Sequence, residues 1–125
     1  VANEFLKIMS KKDINIKNSN VLILGLTFKE NCPDTRNTRV IDILNHLKEF
    51  GVNVSVYDNH ADYNEVKRTL GIKLITEIEK KYYDGIIIAV NHDEFKQIDY
   101  NSLKKNNTVI YDVKGVLGKL ADRCL

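Results

Sequence analysis

The stretch Gly25-Leu26-Thr27-Phe28-Lys29-Glu30-Asn31-Cys32-Pro33-Asp34-Thr35-Arg36-Asn37 gathers two cations, two acids and a thiol in one loop. It follows a short apolar run and leads into an amphipathic stretch, so its far end meets a helix N-terminus, where free backbone N–H groups attract anions. Lys29 and Arg36 add cationic side chains, and phosphate is the ligand such a loop suits best. The other reading is a long connection in which Lys29 and Arg36 pair with Glu30 and Asp34. Loops of this length inside a compact domain are usually functional.

Two further segments fall where strand candidates end. In Tyr57-Asp58-Asn59-His60 an acid closes a strand, the position from which a Rossmann unit holds a ribose. The first loop, however, offers only Gly25 and no G-x-G-x-x-G, which argues against an NAD site in this chain and leaves Asp58 as a turn or helix-capping acid. Tyr111-Asp112-Val113-Lys114-Gly115 presents Asp112 and Lys114 either to a ligand or as a solvated turn with a local ion pair. Cys32 has no identifiable base and reads as an inert thiol. His92, in Asn91-His92-Asp93-Glu94-Phe95, has the chemistry of a general base. With no recognisable partner it reads as a structural histidine near a helix start. His46 is placed mid-helix at the surface, and Lys80-Lys81 and Lys104-Lys105 are solvated faces.

The elements that must position these residues follow from hydropathy. Val21–Leu24, Val52–Tyr57, Ile86–Val90 and Thr108–Tyr111 are β-branched runs, three of them apolar on both faces, as a buried parallel sheet requires. Asp84-Gly85 and Asn106-Asn107 read as turns before the last two. Between the strands, Val40, Ile41, Ile43, Leu44 and Leu47 recur at helical spacing up to a Gly51 cap. Asp62 with Glu65 forms a capping box for a helix closed by Gly71, and Thr76 with Glu79 predicts a short helix reaching Tyr82. Short helical pieces are expected over 93–104 and after Gly115. The alternation predicts an α/β fold, a single three-layer domain with a doubly wound, Rossmann-like parallel sheet.

Composition sets the outer bounds. The sequence has 125 residues, 43% hydrophobic and 29% charged, the balance of one globular domain. Its net charge of +2 is too small to imply a nucleic-acid partner. No apolar run approaches the ~20 residues that span a bilayer. No signal-peptide pattern opens the sequence, which predicts a cytoplasmic chain without a membrane partner. Two cysteines make no disulfide scaffold, and no Cys/His cluster has zinc spacing, so no metal site is expected. Phe5, Ile8 and Met9 share a face over Val1–Ser10, which reads as the last turns of a helix, and 11–20 is polar like a linker. A fragment of something longer is expected, with 1–20 the end of an inter-domain helix and linker and 21–125 the domain.

Gly25-Leu26-Thr27-Phe28-Lys29-Glu30-Asn31, then Asp34-x-Arg36, a helix, and Val56-Tyr57-Asp58 resembles the C-terminal UDP-sugar-binding domain of the UDP-glucose/GDP-mannose 6-dehydrogenase family. Ala89-Val90-Asn91-His92-Asp93-Glu94-Phe95 and Asp112-Val113-Lys114-Gly115 continue the match in order, from about Val21 to Leu117. The Asn31-Cys32-Pro33-Asp34 version and Lys114 resemble the branch that oxidises UDP-N-acetylhexosamines for capsule or O-antigen synthesis. The resemblance implies an enzyme in which an N-terminal Rossmann domain holds NAD, a central helical domain makes the homodimer, and this domain closes over the UDP-sugar. The sugar C6 alcohol becomes a carboxylate in two hydride transfers with a thiol holding the aldehyde stage. Cys32 lies outside that thiol's sequence context, so no catalytic or cofactor-binding residue is assigned in this chain. By the same resemblance Phe28 and Lys29 line the diphosphate, Arg36 braces the loop or a domain contact, and Lys114 stands where many relatives carry arginine to the sugar nucleotide. Lysine keeps the charge without the bidentate fork. Two other classes remain open on the residues alone. One is a stand-alone nucleotide-binding module. The other is a flavodoxin- or receiver-like signalling domain, which needs an acidic cluster and has only Asp58 and Asp112.

Overall fold

In the computed structural model, which describes residues 1–27, 38–113 and 123–124, the apolar runs become strands because both of their faces find cover. The elements are α1 (Ala2–Lys11), β1 (Asn20–Leu24), α2 (Thr38–Glu49), β2 (Asn53–Tyr57), α3 (Tyr63–Leu70), β3 (Tyr83–Ile88), two 3₁₀ turns (Asp93–Gln97 and Tyr100–Ser102), β4 (Lys104–Asp112) and β5 (Arg123–Cys124). The strands pair in parallel in the order β2-β1-β3-β4-β5. The chain therefore winds from β1 to β2 on one side, then crosses to β3 on the other, which creates a topological switch point between β1 and β3. The α/β, doubly wound parallel sheet expected from the sequence is the architecture found.

Side-chain alternation sorts the core into two layers. Val21 and Ile23, Ile87, and Val109 and Tyr111 face α1 and α2, whose Phe5, Met9, Val40, Leu44 and Leu47 complete one cluster. Leu22 and Leu24, Ile86 and Ile88, and Ile110 face the other way, under Phe95 and Tyr100 from the 3₁₀ turns and Leu103 just after them. Each such fully buried side chain contributes roughly 1.5–3 kcal/mol. The stripe Ala2, Phe5, Leu6 and Met9 makes α1 amphipathic and lays it on the sheet. Tyr111 Oη donates to Glu4 Oε2 at 2.7 Å, and Lys12 Nζ reaches the Thr108 carbonyl at 3.5 Å, so α1 is fastened to β4 as well as packed on it.

Three local expectations are corrected. Asp84-Gly85 is strand, not turn. The Phe5 ring occupies the space a Gly85 side chain would take, and the Asp84 carboxylate accepts the Asn20 N–H at 2.8 Å and holds Lys105 Nζ at 2.7 Å. Asn106-Asn107 lies inside β4, which starts at Lys104. The register with β3 jumps from Tyr83↔Lys104 to Gly85↔Val109, a bulge stitched by Thr108 Oγ1, which accepts from Lys105 N and donates to the Tyr83 carbonyl. Thr76–Tyr82 is not helical. Ile75 N donates to the Val56 carbonyl at 2.9 Å, and Leu74 and Ile75 pack into opposite core layers, so pairing to β2 prevails over the capping signature. The Asp62 cap does form, accepting from Asn64 N and Glu65 N, and Gly71 ends α3 at φ +67°.

Candidate functional site

At the carboxyl ends of the strands the backbone after β1 is forced close to β3. Gly25 has φ +103°, and a Cβ there would stand 2.6 Å from Val90 Cβ, so both conformation and space require glycine. The pairing continues past the strands: Gly25 N donates to the Tyr57 carbonyl at 2.8 Å and Ala89 N to the Leu24 carbonyl at 2.9 Å. The turn that follows, Leu26-Thr27, is fully buried.

Asp58, the first residue after β2, turns its carboxylate into this crevice and is 0% exposed. Its Oδ2 accepts from Leu26 N at 2.7 Å, Thr27 N at 3.0 Å and His92 Nε2 at 3.0 Å, while Oδ1 accepts from His60 N at 2.8 Å. Burial pushes this carboxyl upward, but the bonds from His92 and from the amides of Leu26, Thr27 and His60 outweigh it and hold the group at about 2. His92 is also fully buried, with Nε2 2.9 Å from Thr27 Oγ1. Its ring packs 5.1 Å from that of Phe95 and 4.3 Å from that of His60, and His60 Nε2 lies 3.1 Å from Glu94 Oε2. Beyond β3, Asn91 Oδ1 is buried without a hydrogen-bond partner among the described residues.

This geometry revises several sequence expectations. Asp58 is the turn acid expected, accepting the His60 amide two residues on, and caps no described helix; it also fastens the turn after β1 to β2 and β3. His92 has a partner, Asp58, that sequence reading did not connect to it, although it does start a short helical turn as expected. Asp112 is fully buried, so it is not part of a solvated turn. His46 is half-buried, its ring 5.4 Å from that of Phe50 and its Nε2 enclosed, rather than on the surface. Phe28, Lys29, Cys32, Arg36 and Lys114 lie outside the described residues. What sequence reading missed is the Asp58–His92 link; the available signal was an acid directly after β2 and a histidine just beyond β3.

The described turn does not fit a dinucleotide. The carboxylate that would meet a ribose is enclosed, and the Leu26 and Thr27 N–H groups that would meet a pyrophosphate are taken by it. A receiver-like reading fits no better, since its acids must be open to solvent and both Asp58 and Asp112 are buried. Among the described residues no group of three or more His, Cys, Asp or Glu side chains could hold a metal ion. No described helix is long and apolar enough to cross a membrane. At the opposite end of the sheet a polar depression of about 360 Å³ is bordered by Asp13, Lys17, Asn18, Asp84 and Lys105.

A doubly wound parallel sheet, with a Gly-tight turn at its switch point, defines an α/β class whose ligands bind beyond the carboxyl ends of the strands. Within that class the chain belongs to the UDP-glucose/GDP-mannose dehydrogenase family: the model of its UDP binding domain matches residues 22–119. The chain is 46% identical over 120 residues to the UDP-N-acetyl-D-glucosamine 6-dehydrogenase of Salmonella typhi, covering 94% of this chain and 28% of that protein. It is 42% identical over 119 residues to Protein CapL of Staphylococcus aureus, again covering 94% of this chain and 28% of the relative. The chain thus spans between a quarter and a third of the length of these relatives. Among solved structures, the UDP-D-ManNAc dehydrogenase from Pyrococcus horikoshii superposes with a TM-score of 0.76 at 21% identity, over 98% of this chain and 29% of that one. The NDP-N-acetyl-D-galactosaminuronic acid dehydrogenase from Methanosarcina mazei gives 0.79 at 22% identity, over 92% and 24%. These two likenesses establish the fold.

Proposed function

We propose that this chain is the UDP-sugar-binding domain of an NAD-dependent nucleotide-sugar 6-dehydrogenase that converts a UDP-N-acetylhexosamine, or UDP-glucose, to the uronic acid for surface polysaccharide. The observation that carries this reading is the family match over 22–119, which spans the switch-point crevice. In this reading the domain binds and orients the nucleotide while hydride and thiol chemistry belong to the rest of the enzyme. NAD sits in a separate N-terminal domain, in keeping with the poor fit of the Leu26-Thr27 turn to a dinucleotide. Residues 1–20 lead in from the preceding domain, the whole enzyme is a cytoplasmic homodimer, and Phe28, Lys29, Arg36 and Lys114 contact or brace the substrate.

Calorimetric titration of the folded chain with UDP, and separately with NAD, tests the reading. Heat of binding for UDP and none for NAD is expected, with no NADH formed from UDP-N-acetylglucosamine, UDP-N-acetylgalactosamine or UDP-glucose. A folded chain that binds NAD but not UDP overturns it.

A further inference from the structure

We propose that Asp58 and His92 are positioning residues for the nucleotide: they clamp the Leu26-Thr27 turn to the ends of β2 and β3, and UDP affinity depends on that clamp. The proposal rests on the UDP-binding reading above. β2 and β3 are not neighbours, since β1 lies between them. The turn leaving β1 therefore passes between a group hung from each flank. One carboxylate oxygen, Asp58 Oδ2, collects both turn amides and His92 Nε2, and the second oxygen takes the His60 amide.

This is an expensive way to hold a turn together. A buried carboxylate and its polar partner are often replaceable by apolar side chains with no loss of stability, so stability alone does not explain them. What the pair supplies is direction. Three donors meeting at one oxygen fix where the backbone leaves β1, and an ionised carboxylate accepts all of them because it carries no proton of its own. The crevice at this point lies outside the carboxyl ends of β1 and β3, where an open parallel sheet binds its ligand. The clamp also keeps the Leu26 and Thr27 amides from the nucleotide's phosphates, because Asp58 already holds both.

The test uses the full-length protein that carries this domain, with UDP titrated calorimetrically into wild type, Asp58→Asn, His92→Ala and His92→Gln, and thermal unfolding followed in parallel. Glutamine can present an N–H near the place of His92 Nε2. The expected result is a loss of UDP affinity of roughly ten-fold in Asp58→Asn and His92→Ala at temperatures where both remain folded. His92→Gln should recover much of that loss. Hydrogen exchange of the peptide spanning Leu26 and Thr27 should accelerate in Asp58→Asn without UDP present, a change that a loss of overall stability would spread across the sheet instead. Wild-type UDP affinity in folded Asp58→Asn and His92→Ala overturns the clamp and leaves the binding reading standing. Should Asp58→Asn fail to fold, the histidine pair decides: equal affinity in His92→Ala, His92→Gln and wild type overturns the proposal. A wild-type protein that binds no UDP overturns the binding reading and this proposal with it.

Discussion

The ring of Phe5 stands where a side chain on Gly85 would have to go, so the first helix and the middle strand of the sheet share one space. Phe5 is 0% exposed, and its ring also meets that of Tyr111 edge-on at 6.5 Å. Neither residue can enlarge without displacing the other.

Gly85→Ala is therefore expected to destabilise the chain by about 1–3 kcal/mol through overpacking. Phe5→Leu alone loses buried surface, but combined with Gly85→Ala it should restore part of the stability, because the two sites are coupled. Urea midpoints of the two single variants and the double variant check this. Additive losses in the double variant would show that the ring can move aside.

Acid sensitivity should trace to Asp58. Its folded value of about 2 lies below the ordinary 3.8, so the group's contribution is complete above the unfolded value and is lost as pH falls through the folded one. The gap corresponds to about 2 kcal/mol, lost progressively from about pH 5 towards pH 2. In Asp58→Asn the fall in stability over that window should be shallower by this amount. Denaturant midpoints taken at several pH values for both proteins supply the comparison, and parallel curves would assign the acid transition to other groups.

Under the proposed function, Lys29→Ala in the full-length enzyme should weaken UDP binding roughly ten- to a hundred-fold, the loss of one charge-assisted contact. Lys29→Arg should recover part of it, since the charge survives in a different geometry. NAD binding should be nearly unchanged in both. Calorimetry on the three proteins separates these cases; undiminished UDP affinity in Lys29→Ala would make the loop a structural connection.

Under the same proposed function, replacing Cys32 with serine should leave most of the dehydrogenase activity in the full-length enzyme. Its sequence context, with Pro33 immediately following, lacks an identifiable base. Steady-state rates and trapping of the covalent aldehyde stage provide the readout. Loss of that covalent species would identify Cys32 as the nucleophile.

The sheet was legible because runs such as Val21–Leu24 and Ile86–Ile88 are apolar on both faces, a pattern with few other outcomes. Boundaries were lost where a local signal competed with a distant contact. Asp84-Gly85 looks like a turn until α1 lays Phe5 on the glycine, and Thr76 with Glu79 looks like a helix start until β2 takes the Ile75 amide. The site was legible as a place, the ends of β1, β2 and β3, but not as a network. Asp58 and His92 are brought together by a crossover past β1, and nothing in the neighbourhood of either residue names the other.

The bond from Tyr111 to Glu4 has a mechanical meaning as well. With Glu4 bonded to Tyr111 of β4 and Phe5 seated on Gly85, two successive residues of α1 are tied to two neighbouring strands. The tie to β4 falls one residue before Asp112, with no loop between helix and strand end, and a close-packed interior transmits strain rather than damping it. Helix and strand end are joined as one lever.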